Sequence, residues 1–156
     1  MKKICFTGHR YVKITPKLEA RLESTICGLI EKYGAADFYA GGALGWDTLC
    51  AQTVLRLRRK YPIRLHLVLP CCEADQTARW SAVQKEIFVK IMSAADSVEY
   101  VSQSYFDGCM KLRNQRLVEY ADGCVCYYNE KKRASGTGQT VCMAQHKNIV
   151  VINLFT

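Results

Sequence analysis

Apolar and polar positions along this 156-residue chain alternate between two periods, one short and strand-like, one helical. The opening stretch KKICFTG is a short apolar run that ends at Gly8 and reads as a strand. From Pro16 to Tyr33 the apolar residues Leu18, Leu22, Ile26, Leu29 and Ile30 recur at three- and four-residue steps, which predicts a helix. Thr15 stands at its N-cap, Pro16 at its first helical position and Gly34 at its end. ADFYAGG is a second strand stopped by glycines, GWDTLCAQTVLRLRRKY a helix that stops before Pro62, and IRLHLVLP a strand ended by Pro70. Asp75 to Ala95 is expected to be mostly helical, with Trp80, Val83, Ile87 and Ile91 on one face. SVEYVS is a weaker strand, DGCMKLRNQRLVEYA a helix, DGCVCYYN a strand, GQTVCMAQHK a short helix and NIVVINLF a final strand.

Strands and helices alternate throughout. Such a chain folds as a doubly wound α/β structure, a mostly parallel sheet covered by helices on both faces. No internal repeat, linker or low-complexity stretch interrupts the pattern, so residues 1–156 are expected to form a single domain. In this architecture ligands bind beyond the carboxyl ends of the strands.

Three glycine-bearing strand-to-helix turns fall on that rim. TGHR (Thr7 to Arg10) follows the first strand, AGGALGWD (Ala40 to Asp47) the second, and RASGTGQT (Arg133 to Thr140) the fifth. Glycine lets backbone N–H groups approach an anion without an intervening Cβ. A helix start adds unpaired N–H groups and a positive dipole end. Ser135, Thr137 and Thr140 add hydroxyl donors, and His9 and Arg10 add charge-assisted bonds. Asp47 stands in the first turn of its helix, either as a dipole-favoured helix-start residue or as an acceptor for ribose hydroxyls.

Arg113 and Asn114 are the other candidates. Met110, Leu117 and Ala121 define a core stripe on their helix, Asn114 falls on that stripe and Arg113 borders it. Polar groups there need partners, either neighbouring loop backbone or a ligand. Arg116 and Glu119 face outward. His66 alternates within a strand and is expected in the core, and His146 lies at the end of the last helix. Tyr127 and Tyr128 end the fifth strand near the rim, where a ring can stack on a base.

Composition narrows the partners. The net charge is +8, from 22 basic and 14 acidic residues, which favours anionic partners such as nucleotides or nucleic acid. No apolar run approaches the ~18 residues of a membrane span, so no membrane partner is expected. The start, MKKICFTGHR, has too short an apolar core for a signal peptide, so a cytoplasmic location is expected. Nine cysteines sit mostly within apolar runs and read as reduced, buried thiols. Adjacent Cys71 and Cys72 and the C-x-C of Cys124 and Cys126 lack zinc-ligand spacing, so no metal site is expected.

These motifs, in this order, resemble those of the SLOG superfamily, which includes the DNA-processing protein A family, the lonely-guy phosphoribohydrolases and the YpsA-like proteins. The resemblance runs from about Ile4 to the end. TGHR stands where the family has a glycine-Ser/His/Tyr-Arg/Lys turn, GGALGWD resembles G-x-A-x-G-x-D before a helix, and an Arg-Asn helix, a strand, an S-G-T/S loop and a closing strand follow. The short length and the TGHR start point to the YpsA-like branch. The resemblance implies a Rossmann-like three-layer fold that binds nucleotides or nucleotide-derived ligands on this rim, with no separate cofactor. Its implied ligand-facing residues are Gly8, His9, Arg10, Gly41, Gly42, Gly45, Asp47, Arg113, Asn114, Ser135, Gly136, Thr137 and Gly138, and Thr140 joins them through its hydroxyl.

The enzymatic branch, which cleaves nucleoside monophosphates to free base and ribose 5-phosphate, resembles P-G-G-x-G-T-x-x-E in the last loop, where the glutamate assists bond breaking. Here Cys142 occupies the glutamate position. A thiol does not supply a carboxylate's charge to an oxocarbenium-like centre. Asp47 and Glu73 are the acids left to consider. Three readings follow: a module that binds, senses or processes a nucleotide-derived small molecule; a phosphoribohydrolase-like enzyme; and a single-stranded nucleic-acid binder. Homo-oligomerisation stays open.

Overall fold

Each of the six predicted strands forms. They are β1 (Lys3–Gly8), β2 (Asp37–Ala40), β3 (Arg64–Leu69), β4 (Ser97–Tyr100), β5 (Gly123–Tyr127) and β6 (Val150–Asn153). The computed structural model describes residues 1–156 and joins these strands into one sheet in the order β4-β3-β2-β1-β5-β6, every pair parallel. The helices are α1 (Pro16–Tyr33), α2 (Trp46–Leu57), the single turn α3 (Glu73–Gln76), α4 (Ala82–Ala94), α5 (Cys109–Tyr120) and α6 (Gly136–His146). The result is a three-layer, Rossmann-like α/β fold.

Strand alternation divides the core in two. Ile4 and Phe6 of β1 join Leu22 of α1, Val54 of α2 and Ile91 of α4 on one side. Cys5 of β1, with Cys124 and Cys126 of β5, meets Leu117 of α5 and Val141 of α6 on the other. Successive side chains of a strand point to opposite faces, so a strand covered on both sides reads as a continuous apolar run. Six of the nine cysteines are buried free thiols. Burial pushes Cys126 up to about 12, which keeps it a protonated apolar filler.

The caps of α1 form as predicted: Thr15 Oγ1 accepts from the Leu18 N–H at 3.1 Å, and Gly34 ends the helix with φ 70°. The Asp75–Ala95 segment differs from expectation. It contains a break, and α4 begins only after Ser81, whose side chain and that of Gln84 form a reciprocal capping box. Trp80 therefore lies outside the helix, Val83 is 66% exposed, and Phe88 with Ile91 forms the buried face.

His66 also departs from expectation. It is half-buried in a polar network, its Nε2 2.8 Å from Asp37 and its Nδ1 2.6 Å from Ser97, with its ring stacked on Tyr39. Arg64 donates to the same Asp37 and, as the leading cause, holds its carboxyl down to about 2. Arg116 is half-exposed and bonds Glu99 at 2.7 Å, while Glu119 faces solvent. No helix is long and apolar enough to cross a membrane.

Candidate functional site

Strand order creates the site. β1 lies between β2 and β5, so the chain leaves β1 toward α1 on one face and leaves β5 toward α6 on the other. The two loops part at this reversal and open a crevice at the carboxyl ends of the strands. A cleft of about 400 Å³ lies there. Its walls bring together Gly8, His9 and Arg10 after β1, Asp47 at the start of α2, Arg113 and Asn114 in α5, and Ser135, Gly136 and Thr137 at the start of α6.

The other five sequence candidates stand behind the walls. Gly41 lies against both the Arg113 guanidinium and the Asp47 carboxylate, so a Cβ there would occupy the space of both groups. Gly42 packs under Leu69 and Phe88, and its carbonyl accepts from Gln76. Gly45 begins α2 at φ 78°, pressed against the carbonyl of Arg10. Only glycine combines that left-handed backbone with that approach. Gly138 lies against the carbonyl of Arg133, and Thr140 is buried with its hydroxyl donating to the Gly136 carbonyl at 2.8 Å.

Arg113 and Asp47 form the buried centre of the cleft, 6% and 5% exposed. The sequence pattern placed Asn114 on the core stripe of α5 and Arg113 at its border. The structure reverses them: Cys109, Arg113 and Leu117 form the buried line, and Asn114 is half-buried. The side-chain-free space at Gly41 admits the guanidinium, which donates to the Gly41 carbonyl and, through Nε, to Asn114 Oδ1 at 2.8 Å. Burial pulls the Arg113 pKa down and Asp47 pushes it back up, so the guanidinium stays charged.

Asp47 Oδ2 accepts from the Ala43 N–H at 3.3 Å, whereas Oδ1 is buried with no hydrogen-bond partner. Burial raises the Asp47 pKa to about 6, against the opposing pull of Arg113. Asp47 is therefore ionised at neutral pH, and it lines the cleft with one buried acceptor oxygen unpaired. It is also the only acidic side chain lining the cleft.

His9 has a different role from the charged donor expected of it. Its Nε2 accepts from the Asn129 N–H at 2.9 Å, which places any ring proton on Nδ1. Burial first, then nearby Lys132, lowers its pKa, so the ring is uncharged at neutral pH. His9 is a neutral strut that ties the β1 loop to the β5 loop. The anion-facing wall is built by other groups. Ser135 caps α6 by accepting from the Gly138 N–H at 3.1 Å and donating to the Lys132 carbonyl at 2.6 Å. The N–H groups of Gly136 and Thr137 have no carbonyl behind them within the helix and remain for a ligand.

Lys132 lines the cleft and was not singled out from the sequence. Its signal was the basic run KKR directly before the glycine loop, which a 3-10 turn over Glu130–Lys132 presents to the cleft. Tyr127 and Tyr128 are not stacking platforms on the rim. Both are buried, Tyr127 against Trp46 and Phe155 and Tyr128 in the core under α5 and α6.

A model of the YspA SLOG family matches residues 5–154. The chain belongs to this family. Curated relatives match most of the chain. UPF0398 protein BH1768 of Halalkalibacterium halodurans is 30% identical over 148 residues, covering 86% of this chain and 76% of that protein. The SPbeta prophage-derived protein YoqJ of Bacillus subtilis is 29% identical over 134 residues, covering 78% and 76%. Among solved structures, the X-ray structure of TM1055 superposes with a TM-score of 0.59 at 19% identity, over 97% of this chain and 72% of that one. That likeness concerns the fold.

Within this SLOG chain the position of the enzymatic branch's glutamate does not face the cleft. Cys142 is exposed and lines a separate hollow behind the α6 start, beside Tyr128, Glu130 and Arg133. Glu73, the other acid considered, accepts from the Tyr100 hydroxyl on the edge of the sheet and lies outside the cleft.

Proposed function

We propose that the cleft binds the phosphate and ribose of a nucleotide-derived small molecule. The observation that carries this reading is Asp47: a buried carboxylate with one unpaired oxygen, and the one acid among the residues lining an otherwise cationic cleft. An ionised carboxylate only accepts hydrogen bonds, so its ligand partner is a donor such as a ribose hydroxyl. Across the cleft, Arg10, Lys132 and the free N–H groups of Gly136 and Thr137 suit the phosphate. Arg113 holds Asp47 in its charged form, and Asn114 lies beside it on the same wall. Membership of a SLOG family and a Rossmann-like fold support a nucleotide-related role.

Thermal unfolding tests the reading with a panel of nucleoside mono- and diphosphates, ADP-ribose and NAD. A ligand at 100 times its Kd stabilises by about 2.7 kcal/mol, which for a domain of this size raises Tm by roughly 5–10 °C. Arg10→Ala and Asp47→Asn should each weaken binding by at least about tenfold, the loss expected for a charge-assisted hydrogen bond. No Tm rise with any member of the panel overturns the reading.

A further inference from the structure

Beside the phosphate cleft lies a second one, of about 470 Å³. The two share only Arg10 and Tyr11. Consecutive stretches of one segment line them in turn: Ala43 and Asp47 face the first, Leu44, Gly45 and Thr48 the second. The divide is thus a ridge that includes the Arg10 backbone, pressed onto Gly45. The clefts adjoin next to Asp47, the residue assigned above to the ribose.

Their chemistry differs. The second cleft has no acid, and its walls include Trp80, Ile87, Phe88 and Leu49. Trp80 is half-buried, held edge-to-face on Phe88 with ring centres 5.3 Å apart. Tyr11 is 94% exposed on the ridge. Single exposed apolar residues are ordinary, but here Tyr11 and Ile14, both exposed, and Trp80 converge on one hollow. Gln52, exposed on α2 and lining this cleft, offers an amide donor and acceptor. Aromatic rings with a side-chain amide are the recognition set of a nucleobase: a flat face to stack and an edge to pair.

We propose that the second cleft takes the base of the ligand whose ribose and phosphate occupy the first. This inference rests on the proposed function and deepens it. The ligand class becomes a nucleoside phosphate lying across the ridge: phosphate at the start of α6, ribose at Asp47, base between Tyr11 and Trp80.

The chain has two tryptophans, Trp46 buried beside the first cleft and Trp80 lining the second, so the emission change that is lost in Trp80→Phe reports on the second cleft. Fluorescence and calorimetric titrations would use ribose 5-phosphate and then AMP, GMP, CMP and UMP. Ribose 5-phosphate binds without changing tryptophan emission. At least one mononucleotide binds about tenfold tighter or better and quenches emission, and the quench disappears in Trp80→Phe, which keeps an aromatic ring on Phe88. Gln52→Ala, at an exposed position that lines only the second cleft, weakens that mononucleotide about tenfold and leaves ribose 5-phosphate within twofold. If ribose 5-phosphate and every mononucleotide bind equally and emission never changes, the base cleft is overturned while the phosphate–ribose site stands. If nothing binds to the folded protein, both fall together.

Discussion

Asp47 carries a stability penalty that points the opposite way from that of an ordinary carboxylate. Its folded pKa is about 6 against a reference of 3.8. Between these values the unfolded chain releases a proton that the folded protein keeps, so stability contributed here falls as pH rises from 3.8 to 6 and stays lost above. The difference amounts to roughly 3 kcal/mol. Asn is nearly isosteric with the protonated acid, so Asp47→Asn should be more stable than wild type at pH 7 while losing ligand affinity. Urea unfolding of both proteins from pH 4 to 7 checks this. The difference between the two curves should widen across that window, because the carboxyls held low elsewhere, such as Asp37, contribute equally to both. Parallel curves would remove Asp47 as a strained, functional carboxylate. Gly41 is the companion residue: Gly41→Ala should lower stability by about 1–3 kcal/mol through overpacking against Arg113 and Asp47. A Gly41→Ala protein with an unchanged urea midpoint would mean that Arg113 is loosely held.

At the scale of elements, local signals governed what was legible. α1 was read to the residue because Thr15, Pro16 and Gly34 are local caps with local consequences. The start of α4 was misread although its signal, S-x-x-Q over Ser81–Gln84, stands in the sequence; the aromatic Trp80 fitted a helical period and concealed it. α5 was recognised but rotated by one position, since its period alone favours Asn114, and only the space at Gly41 admits Arg113. The start of α6 gives an element-scale prediction. Ser135→Ala removes the cap on the Gly138 N–H and should lower stability by about 1 kcal/mol. It should also weaken phosphate binding, since Gly136 and Thr137 lose a fixed orientation. Chemical denaturation alongside phosphate titration separates the two effects, and unaltered phosphate affinity would show that the start of α6 does not hold the anion.

For the whole molecule, the nine cysteines offer a test of the packing. Only Cys142 is exposed, Cys27 and Cys72 are partly so, and the remaining six are buried. Under native conditions a thiol reagent should therefore modify one cysteine fast, two slowly and six only on unfolding. Early reaction of Cys5, Cys124 or Cys126 would contradict the core between the sheet and the α5–α6 layer. The sequence by itself determined the types and order of the elements, the parallel sheet and the three loops at its rim. Periodicity, caps and glycine turns act over a few residues, and parallel strands leave their following loops on one edge. The tertiary structure alone decided that β1 lies between β2 and β5, which sets the TGHR loop against the loop before α6. It alone buried Arg113 beside Asp47, made His9 a neutral strut and turned Tyr127 and Tyr128 inward. These outcomes depend on which distant segments exclude water from one another, and desolvation has no period along the chain.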